Sequence, residues 1–469
     1  MARDAHCRAF LDHLDPPGPH HPQHGEAPMT PDAPSMGGVD RRRPAAVLGM
    51  ARSGLAAARL LLERGYQVIA LDRHPPPETL RRWDELAARG KARAVWGEHP
   101  LELIDEIGWL VRSPGVPQTT PFLAAARRRG IPVWSELELA WRHARGPILA
   151  LTGTNGKSTA TAWLAHVLSC AGRPAAPAGN IGRALGDAVD EEGEGTCLVV
   201  EVSSFQLEDC PTFRPQVGVV LNITPDHLDR YPSFAAYAET KWKLFAHQTA
   251  EDRAIVPVDL DPPHAPAAPV LRFGFEVAGD GVFACGGEMI WIAGGAERAI
   301  FDLGRLPLPG PHNQANAMAV AAAALAFGLP PEDLVAGLAS FRALPHRMEP
   351  VDERNGVQWV NDSKATNVDA LEVALQSYDA PVVLIAGGRD KGGDFTRLAE
   401  LARRRVRRLV VLGEAAELIR RAWPGVAALA AGGLEEAVSL AASAARPGDV
   451  VLLSPGCASQ DMFRDYEER

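Results

Sequence analysis

The chain has 469 residues, 46% of them hydrophobic, and a formal net charge of −10 at pH 7. This length suffices for roughly two to four domains with sizeable cores, and the acidic balance argues against a nucleic-acid-binding surface. No apolar stretch is long enough to span a bilayer. The six cysteines are scattered without paired spacing, which is typical of a reducing cytoplasm.

Residues 1–43 differ in composition from the rest of the chain, being rich in proline, histidine and aspartate. They carry no apolar segment after basic residues, so they are not a secretory signal. His20, His21 and His24 could bind a metal, but a disordered extension is the favoured interpretation. Met29 or Met36 could be the true start, and the sequence alone does not decide.

Ordered structure is predicted to begin at Pro44. Residues 45–48 form a strand, and Gly49-Met50-Ala51-Arg52-Ser53-Gly54 then opens a helix, followed by a second strand that ends at Asp72. This pattern is similar to the dinucleotide fingerprint G-x-G-x-x-G with a downstream acid. Because Ala51 replaces the glycine that lets a pyrophosphate approach the backbone, an NAD site and a nucleotide bound in another way both stay open.

Further strand–helix units follow, with strands around Val95, residues 110–111 and Val133. Ser113-Pro114-Gly115 comes just after one of these strands, where open α/β sheets bind ligands. Taken alone, this tripeptide is better explained as a plain turn.

A phosphate-binding loop is predicted at Gly153-Thr154-Asn155-Gly156-Lys157-Ser158-Thr159. It lies between an apolar strand, residues 147–152, and a segment with apolar residues at helical spacing, residues 160–170. Converging backbone N–H groups and a helix N-terminus make such a turn a cradle for phosphate, in which Lys157 would reach the outer phosphates and Ser158 would bind Mg²⁺. Leu151 stands where the strict motif has glycine, which indicates a shorter variant; the alternative is a glycine-rich turn with a surface lysine.

Other polar residues of the central region could complete this site. Asn180 lies in a loop between glycines, and Glu201 lies near the end of a buried strand beside the phosphate loop, where Mg²⁺ needs a hard oxygen ligand. His227 follows another strand and is either a metal ligand or a structural hydrogen-bonding residue. Tyr237 and Lys241 are spaced to share one helix face.

Asn313 and Asn316 precede an alanine-rich helix, where they could clamp a base or ribose or simply cap the helix. A third α/β unit begins near Leu344, and Arg347 is placed to reach back toward the nucleotide. Its strands are predicted at residues 356–360, 381–386, 408–412 and 449–454. Polar residues follow their C-terminal ends, the edge where α/β domains place their chemistry: Asp362, Lys364, Thr366, Lys391 and Ser459.

In order and spacing, several motifs resemble those of the Mur ligases of peptidoglycan synthesis. The resemblance covers nearly everything from Pro44 to Tyr466 and rests on residues 152–159, Glu201-Val202-Ser203-Ser204-Phe205-Gln206-Leu207-Glu208, His312-Asn313 with Asn316, and His346-Arg347. Within the family, residues 361–367 and 453–455 with Ala458-Ser459 are similar to the branch that adds D-glutamate.

The resemblance implies a three-domain α/β fold. A disordered extension, residues 1–43, would precede a Rossmann-like domain, residues 44–145, that binds the UDP substrate. A central P-loop ATPase-like α/β domain, residues 146–344, would bind ATP, and a C-terminal Rossmann-like domain, residues 345–469, would bind the amino acid.

The resemblance also implies the reaction. ATP would phosphorylate the carboxylate of UDP-N-acetylmuramoyl-L-alanine, and the amine of D-glutamate would attack the acyl phosphate to form an amide, ADP and phosphate. ATP and Mg²⁺ would be the cofactors, and the enzyme would be a cytoplasmic monomer that binds no nucleic acid. The implied catalytic residues are Lys157, His227, Lys241 and Lys364.

The remaining implied residues are contacts to the ligands. For ATP they are Gly153, Thr154, Asn155, Gly156, Lys157, Ser158, Thr159, Asn313, Asn316, Arg347 and Asp362. For the UDP substrate they are Ser53, Asp72, Gly115 and Asn180. For D-glutamate they are Thr366, Lys391, Ser459 and Tyr466. For the metal they are Ser158, Glu201, His227 and Lys241, the last as a carbamate.

Two features depart from the family pattern. Arg73 and His74 differ from the residues expected beside the uracil. The chain ends at Arg469, before the glycine and final helix that the resemblance leads us to expect, so we predict weak order after about Phe463.

Two other classes of protein deserve consideration. An NAD-dependent oxidoreductase would explain residues 49–72 but leaves the phosphate loop unexplained. A non-catalytic nucleotide-binding protein could keep the fold, but the intact Lys157, Glu201, His227 and Lys364 argue against it.

Overall fold

The computed structural model describes residues 39–75, 77–228 and 230–469. The hypotheses on His20, His21, His24 and the alternative starts Met29 and Met36 concern residues outside this part of the chain. The end of the predicted extension contacts the first domain, since the Arg41 guanidinium lies 5.2 Å from the centre of the Tyr66 ring. Among the helices described, none has the length and apolar character needed to cross a membrane.

The first domain is built on a five-stranded parallel sheet in the order β3-β2-β1-β4-β5. The strands are β1 Ala45–Leu48, β2 Val68–Asp72, β3 Ala92–Trp96, β4 Trp109–Arg112 and β5 Val133–Ser135. The helices are α1 Arg52–Glu63, α2 Pro77–Ala87, α3 Pro121–Arg128 and α4 Glu136–Trp141, with a short 3₁₀ helix at Leu101–Asp105. The strand β1 and the first four residues of β2 are apolar because both faces of the sheet are covered.

The glycines of the fingerprint serve the turn between β1 and α1. Gly49 has a φ of 87°, and a Cβ on Gly54 would lie 1.9 Å from the Gly49 carbonyl oxygen. Asp72 accepts hydrogen bonds from the backbone N–H groups of Met50 (2.6 Å) and His74 (2.9 Å). The acid that follows β2 therefore fixes this turn, whatever else it binds.

The central domain contains a nine-stranded sheet in the order β14-β13-β12-β11-β10-β9-β6-β8-β7. Its strands are β6 Ile148–Thr152, β7 Ala175–Gly179, β8 Cys197–Glu201, β9 Val217–Val220, β10 Arg253–Pro257, β11 Val270–Gly274, β12 Gly281–Cys285, β13 Glu288–Ala293 and β14 Ala296–Asp302. Its helices are α5 Lys157–Cys170, α6 Leu185–Glu191, α7 Ser204–Leu207, α8 Phe234–Trp242, α9 Pro311–Ala326 and α10 Leu334–Ser340, with 3₁₀ helices at Lys243–Phe245, Leu303–Arg305 and Pro331–Asp333.

The strands from β7 to β12 are parallel, whereas β12, β13 and β14 form an antiparallel meander. Its two hairpin turns are the glycine pairs Gly286-Gly287 and Gly294-Gly295, all with positive φ. Such pairs are a hairpin signal.

The helix α10 packs so closely on α5 that a Cβ on Gly337 would lie 2.5 Å from the Val167 Cα.

The third domain has a six-stranded sheet in the order β15-β16-β20-β17-β18-β19. The strands are β15 Glu349–Arg354, β16 Val357–Asn361, β17 Val382–Gly387, β18 Val406–Leu412, β19 Ala428–Ala430 and β20 Val450–Leu453. The helices are α11 Val368–Gln376, α12 Ala399–Arg405, α13 Ala416–Ala422 and α14 Leu434–Ala444, with a 3₁₀ helix at Phe395–Leu398. Only β15, an edge strand, is antiparallel to its neighbour.

Candidate active site

The phosphate loop joins β6 to α5, as predicted, and its glycine is required by a close contact. Gly156 has a φ of 80°, and a Cβ there would lie 2.5 Å from the Asn316 Oδ1. Asn222, which follows β9, accepts hydrogen bonds from the backbone N–H groups of Thr154 (3.2 Å) and Asn155 (2.9 Å). The loop is therefore held in shape by residues from two other elements.

Lys157 lies across its own loop, donating hydrogen bonds to the carbonyl oxygens of Gly153 (2.8 Å) and Thr154 (2.7 Å). Burial lowers the pKa of this lysine, while the nearby Glu201 and Asp226 carboxylates act in the opposite direction. The two carbonyl oxygens thus hold the ammonium group within the phosphate loop, and an outer phosphate of a bound nucleotide would take their place as its hydrogen-bond acceptor.

A buried carboxylate connects the phosphate loop to the neighbouring strand. Glu201, only 2% exposed, accepts hydrogen bonds from the Ser158 hydroxyl (2.6 Å) and from the Asn180 side-chain amide (2.7 Å). Asn180 is positioned by its own N–H, which donates to the Glu201 carbonyl oxygen at 2.9 Å. Residues predicted from three separate segments therefore meet at one point.

Lys241 is buried beneath the phosphate loop, with 1% of its surface exposed. Its Nζ donates to the Gly153 carbonyl oxygen at 2.8 Å and lies 4.7 Å from the centre of the Tyr237 ring. Burial, together with the charge of Lys157, holds the pKa of Lys241 well below its usual value. The prediction that Tyr237 and Lys241 share a face of α8 is confirmed.

His227 has a left-handed backbone conformation, with a φ of 56°, which turns its ring toward the same region. The ring packs 4.7 Å from that of Phe205, and its Nε2 lies 3.7 Å from Asp226 Oδ2. Burial lowers the pKa of His227 to about 4. At neutral pH the imidazole is uncharged, the form in which histidine ligates metals.

The donor set fits a magnesium ion. The Ser158 hydroxyl and the Glu201 carboxylate are hard oxygen donors 2.6 Å apart. Across residues 39–75, 77–228 and 230–469, no group of three or more His, Cys, Asp or Glu side chains could hold a metal. Mg²⁺ is usually bound through one or two carboxylates, waters and substrate phosphates, and Ser158 and Glu201 offer the protein oxygens for such a site.

A cleft of about 680 Å³ lies in the first domain and reaches the central one. Its lining includes all four residues predicted to bind the UDP end of the substrate, namely Ser53, Asp72, Gly115 and Asn180. Asn180 thus borders this cleft and also contacts Glu201.

A second cleft of about 640 Å³ separates the central and third domains. Asn155, Gly156, His312, Asn316 and Arg347 line it. Of the two predicted asparagines, Asn316 packs on the phosphate loop, whereas the Asn313 amide donates to the Pro309 carbonyl oxygen at 2.8 Å.

Asp362 lies behind this second cleft. It is 3.6 Å from the Arg347 guanidinium and accepts a hydrogen bond from the Ser454 hydroxyl at 3.0 Å. Burial raises the pKa of Asp362, which the Arg347 charge partly offsets. Arg347 is therefore held by Asp362 while it lines the second cleft.

The loops after β16, β17 and β20 interlock at one edge of the third sheet. Backbone N–H groups of Gly456 and Arg389 donate to the carbonyl oxygens of Ala365 (2.9 Å) and Ala458 (2.8 Å). These loops carry Lys364, Thr366, Lys391 and Ser459, so the predicted convergence at this edge is confirmed. The third domain also acts on Asp226 of the central domain: although burial raises the pKa of Asp226, the charge of Lys391 and the hydrogen bond from the Asn367 amide (3.0 Å) lower it.

The segment after Phe463, for which we expected weak order, is held against the third domain. The Ser363 hydroxyl donates to the Tyr466 carbonyl oxygen, and the Arg469 guanidinium donates to the Ser363 carbonyl oxygen, both at 2.7 Å. The Tyr466 ring lies 5.1 Å from Lys364 Nζ. The tail therefore packs against the loop after β16 because its donors and acceptors find partners there.

Comparison with protein families decides the class of the molecule. Residues 43–135 match the Mur ligase MurD-like N-terminal domain, residues 151–324 the Mur ligase middle domain, and residues 346–457 the Mur ligase glutamate ligase domain. The chain belongs to the Mur ligase family. The three-domain α/β fold predicted from the sequence is thereby confirmed.

Individual Mur ligases are similar over nearly the whole chain. The UDP-N-acetylmuramoylalanine--D-glutamate ligase of Pelotomaculum thermopropionicum is 43% identical over 441 residues, covering 91% of this chain and 96% of that protein. The enzyme of the same name from Myxococcus xanthus is 42% identical over 436 residues, covering 90% and 95%.

Solved structures support the same fold. The UDP-N-acetylmuramate-alanine ligase MurC of Thermotoga maritima superimposes with a TM-score of 0.56 at 19% identity, covering 88% of this chain and 96% of that one. A MurF ligase of Thermotoga maritima in complex with ADP gives a TM-score of 0.56 at 18% identity, covering 82% and 90%. At such identities the likeness concerns the fold alone.

Three residues of the site of this Mur ligase had no role predicted from the sequence. Asn222 holds the phosphate loop, and Gln206 and Glu136 line the first cleft. The Gln206 amide donates to Glu136 Oε1 at 2.8 Å, while its own oxygen accepts from the Ser203 N–H at 2.9 Å. The Ser203-x-x-Gln206 spacing is a capping box, and that signal could have drawn attention to Gln206.

We expect the stability of this Mur ligase to fall below neutral pH. Burial lowers the pKa of His143, His227 and His312 to about 4 each. The unfolded chain takes up these protons near pH 6.5, so below that pH it binds more protons than the folded state. The free energy of unfolding should therefore decrease between pH 6.5 and 4, by about 1–2 kcal/mol in total after screening.

Urea unfolding at pH 7.5 and pH 5 measures this decrease. The variant His143→Asn should reduce the decrease, because it removes one of the three titrating side chains. His143 is chosen because its side chain lies outside the clefts. Glu136 opposes the trend in part: burial raises its pKa to about 6, so its contribution is lost as pH rises through that value. Equal unfolding free energies at the two pH values, or no effect of the variant, would contradict the prediction.

Proposed function

We propose that this Mur ligase joins D-glutamate to UDP-N-acetylmuramoyl-L-alanine at the expense of ATP, through an acyl phosphate, and that it does so in the cytoplasm as a monomer. We further propose that the chain consists of an N-terminal extension, residues 1–43, and three domains, residues 44–145, 146–344 and 345–469. One observation carries the proposal: the Glu201 carboxylate contacts both the phosphate loop, through Ser158, and the first cleft, through Asn180. A substrate in that cleft would bring its terminal carboxylate to the γ-phosphate.

The first step transfers the γ-phosphoryl group to the carboxylate of the bound substrate. Such transfers depend on positioning and charge neutralisation, which the backbone N–H groups of the loop and Lys157 would provide, with Asn313, Asn316 and Arg347 holding the nucleotide. Mg²⁺, when bound, neutralises phosphate charge, and Ser158, Glu201, His227 and Lys241 as its carbamate would hold it.

The second step forms the amide. The amine nitrogen of D-glutamate attacks the acyl carbon, the bond from that carbon to the phosphate oxygen breaks, and the amine loses a proton as phosphate leaves. Lys391, Thr366, Ser459 and Tyr466 would hold the amino acid, while Lys364 would approach the phosphate. Closure of the third domain against the central one would exclude water from the acyl phosphate.

The direct test is phosphate release from ATP with UDP-N-acetylmuramoyl-L-alanine and a panel of amino acids. We expect turnover with D-glutamate and little or none with L-alanine, L-lysine or meso-diaminopimelate, because a neutral or cationic amino acid would leave the cationic donors of the pocket unpaired. Equal turnover with any of these three would overturn the proposal.

Lys391→Ala should raise the KM for D-glutamate at least about tenfold while leaving the KM for ATP nearly unchanged. The reason is that Lys391 lies at the interlocked loop edge, near enough to the central domain for its charge to lower the pKa of Asp226. Arg389→Ala is the matched control, because Arg389 lies two residues away but is exposed and paired with Glu414. Equal rises in both KM values, or equal effects of the two variants, would remove Lys391 from the amino-acid pocket.

A further inference from the structure

Arg112, the last residue of β4, has no exposed surface and has its guanidinium hydrogen-bonded on all sides. It donates to the Val116 carbonyl oxygen (2.7 Å) in the first domain. It also donates to the Phe205 carbonyl oxygen (2.7 Å), to Glu208 Oε2 (2.8 Å) and to the Asp209 carboxylate, all in the central domain. One side chain therefore joins two domains through four acceptors.

The first-domain end of this contact is a loop of the UDP-substrate cleft. Residues 113–116 are closed by a hydrogen bond from the Val116 N–H to the Ser113 carbonyl oxygen at 3.0 Å. The Ser113 hydroxyl in turn donates to the Gly49 carbonyl oxygen at 2.6 Å. Gly115, at the tip of this loop, borders the cleft. Moving Val116 would therefore move the wall of the cleft.

The central-domain end is the segment that follows the Glu201 strand. Helix α7 begins at Ser204, carries Gln206 in the cleft wall, and ends just before Glu208 and Asp209. The Phe205 carbonyl oxygen that accepts from Arg112 belongs to this same helix. Arg112 therefore connects the loop of one wall to the helix of the other, on the side adjacent to the phosphoryl-transfer groups.

Two further side chains strengthen the connection. The Arg230 guanidinium donates to the Pro114 carbonyl oxygen at 3.3 Å and lies 4.1 Å from the centre of the Phe205 ring. The Gln118 amide donates to Glu208 Oε2 at 2.7 Å and to Asp209 Oδ2 at 3.1 Å. Both carboxylates that pair with Arg112 are thus held from a second direction.

The chemistry of the contact favours a role in geometry. A buried guanidinium and two carboxylates lose much of their attraction to desolvation, so the gain in stability over an apolar contact is small. A guanidinium, however, presents donors in a rigid plane that fixes the direction of each acceptor, which an ammonium on a flexible stem cannot do. The arrangement sets positions more than it adds stability.

We propose that Arg112 is a positioning residue, which fixes the UDP-substrate loop, residues 113–116, relative to the Glu201 strand and the phosphate loop. The proposal rests on the proposed function, because it concerns how the carboxylate of that substrate reaches the γ-phosphate. Arg112 contacts no reacting atom; it acts through Val116 on one side and through α7 on the other.

The test is steady-state kinetics of Arg112→Lys, varying each of the three substrates in turn. We expect the KM for UDP-N-acetylmuramoyl-L-alanine to rise by about 10–100-fold, since a small displacement of a substrate-positioning group has effects of this size. The KM values for ATP and D-glutamate should stay within about threefold. Arg127→Ala is the matched control: Arg127 pairs with the same Asp209 but from an exposed position, so it should change none of the three.

A double variant, Arg112→Met with Asp209→Asn, keeps the test valid if the lysine variant unfolds. It removes a buried charge of each sign and leaves one carboxylate of the contact, Glu208, which keeps its hydrogen bond from the Gln118 amide at 2.7 Å, and we expect the same selective rise in KM. An unchanged KM for the UDP substrate, an equal rise for all three substrates, or failure of both variants to fold would overturn the proposal. Failure of the proposed function is distinguishable, because the wild-type enzyme would then not ligate D-glutamate.

Discussion

Lys157→Ala should lower the turnover number by about 10²–10³-fold, the loss typical of removing one electrostatic contact to developing charge. In the structure the Nζ group lies between two carbonyl oxygens of its own loop, from which it would reach the outer phosphates of a bound nucleotide. The variant should remain folded, because the two hydrogen bonds that Nζ donates stay within the loop. Phosphate release with all substrates saturating measures the effect.

Lys91→Ala is the control for this experiment, since Lys91 is exposed in the first domain. It should match the wild-type enzyme in turnover, and both variants should match it in melting temperature. Near-normal turnover of Lys157→Ala at unchanged melting temperature would show that the loop does not bind the phosphates that react.

The phosphate loop could be predicted from the sequence because everything that defines it is local. A buried strand, a glycine turn and a helix start lie in consecutive residues, and the structure places them as predicted in β6 and α5. The same holds for Glu201 and Lys364, each of which follows or ends a parallel strand. Parallel strands bring their C-terminal ends to one edge, so convergence follows from topology alone.

Residues whose roles depend on distant partners could not be predicted in this way. Asn222 looks like any loop asparagine until its Oδ1 is seen to accept from the phosphate loop. Glu136 lies in a segment read only as the strand near Val133, and its contact with Gln206 joins residues 70 positions apart. Arg112 reads as the polar end of a strand, and its carboxylate partners lie in another domain.

Some elements of the fold were missed because their sequence signals are weak or were not used. β7 is Ala-Ala-Pro-Ala-Gly, which lacks the β-branched and aromatic residues typical of strands. It is an edge strand, where proline is tolerated. The meander of β12, β13 and β14 has clear glycine-pair turns. The alternation of strands and helices predicted for the rest of the chain, however, gives no reason to expect an antiparallel segment.

Lys241→Ala should be inactive, with turnover reduced at least about 10²-fold, and short-chain carboxylic acids such as acetate should restore part of the activity. Taken alone, a lysine at this position of a helix is most simply interpreted as a surface residue in an ion pair. The structure instead buries Nζ against the Gly153 carbonyl oxygen, beneath the phosphate loop. An ammonium there is disfavoured by burial and by the charge of Lys157, and both lower the pKa of Lys241.

A lowered pKa favours the uncharged amine, which is the form that reacts with CO₂: a bond forms from nitrogen to carbon, and a proton is released. The product, a carbamate, would give this position the hard oxygens that Mg²⁺ prefers. Acetate could supply similar oxygens to the space left by the alanine variant. Lys243→Ala, two residues further on and exposed, is the control and should retain full activity without added acid. Full activity of Lys241→Ala would refute the role, and so would an inactive but folded variant that no carboxylic acid rescues, because a carboxylate at this position is what the carbamate would provide.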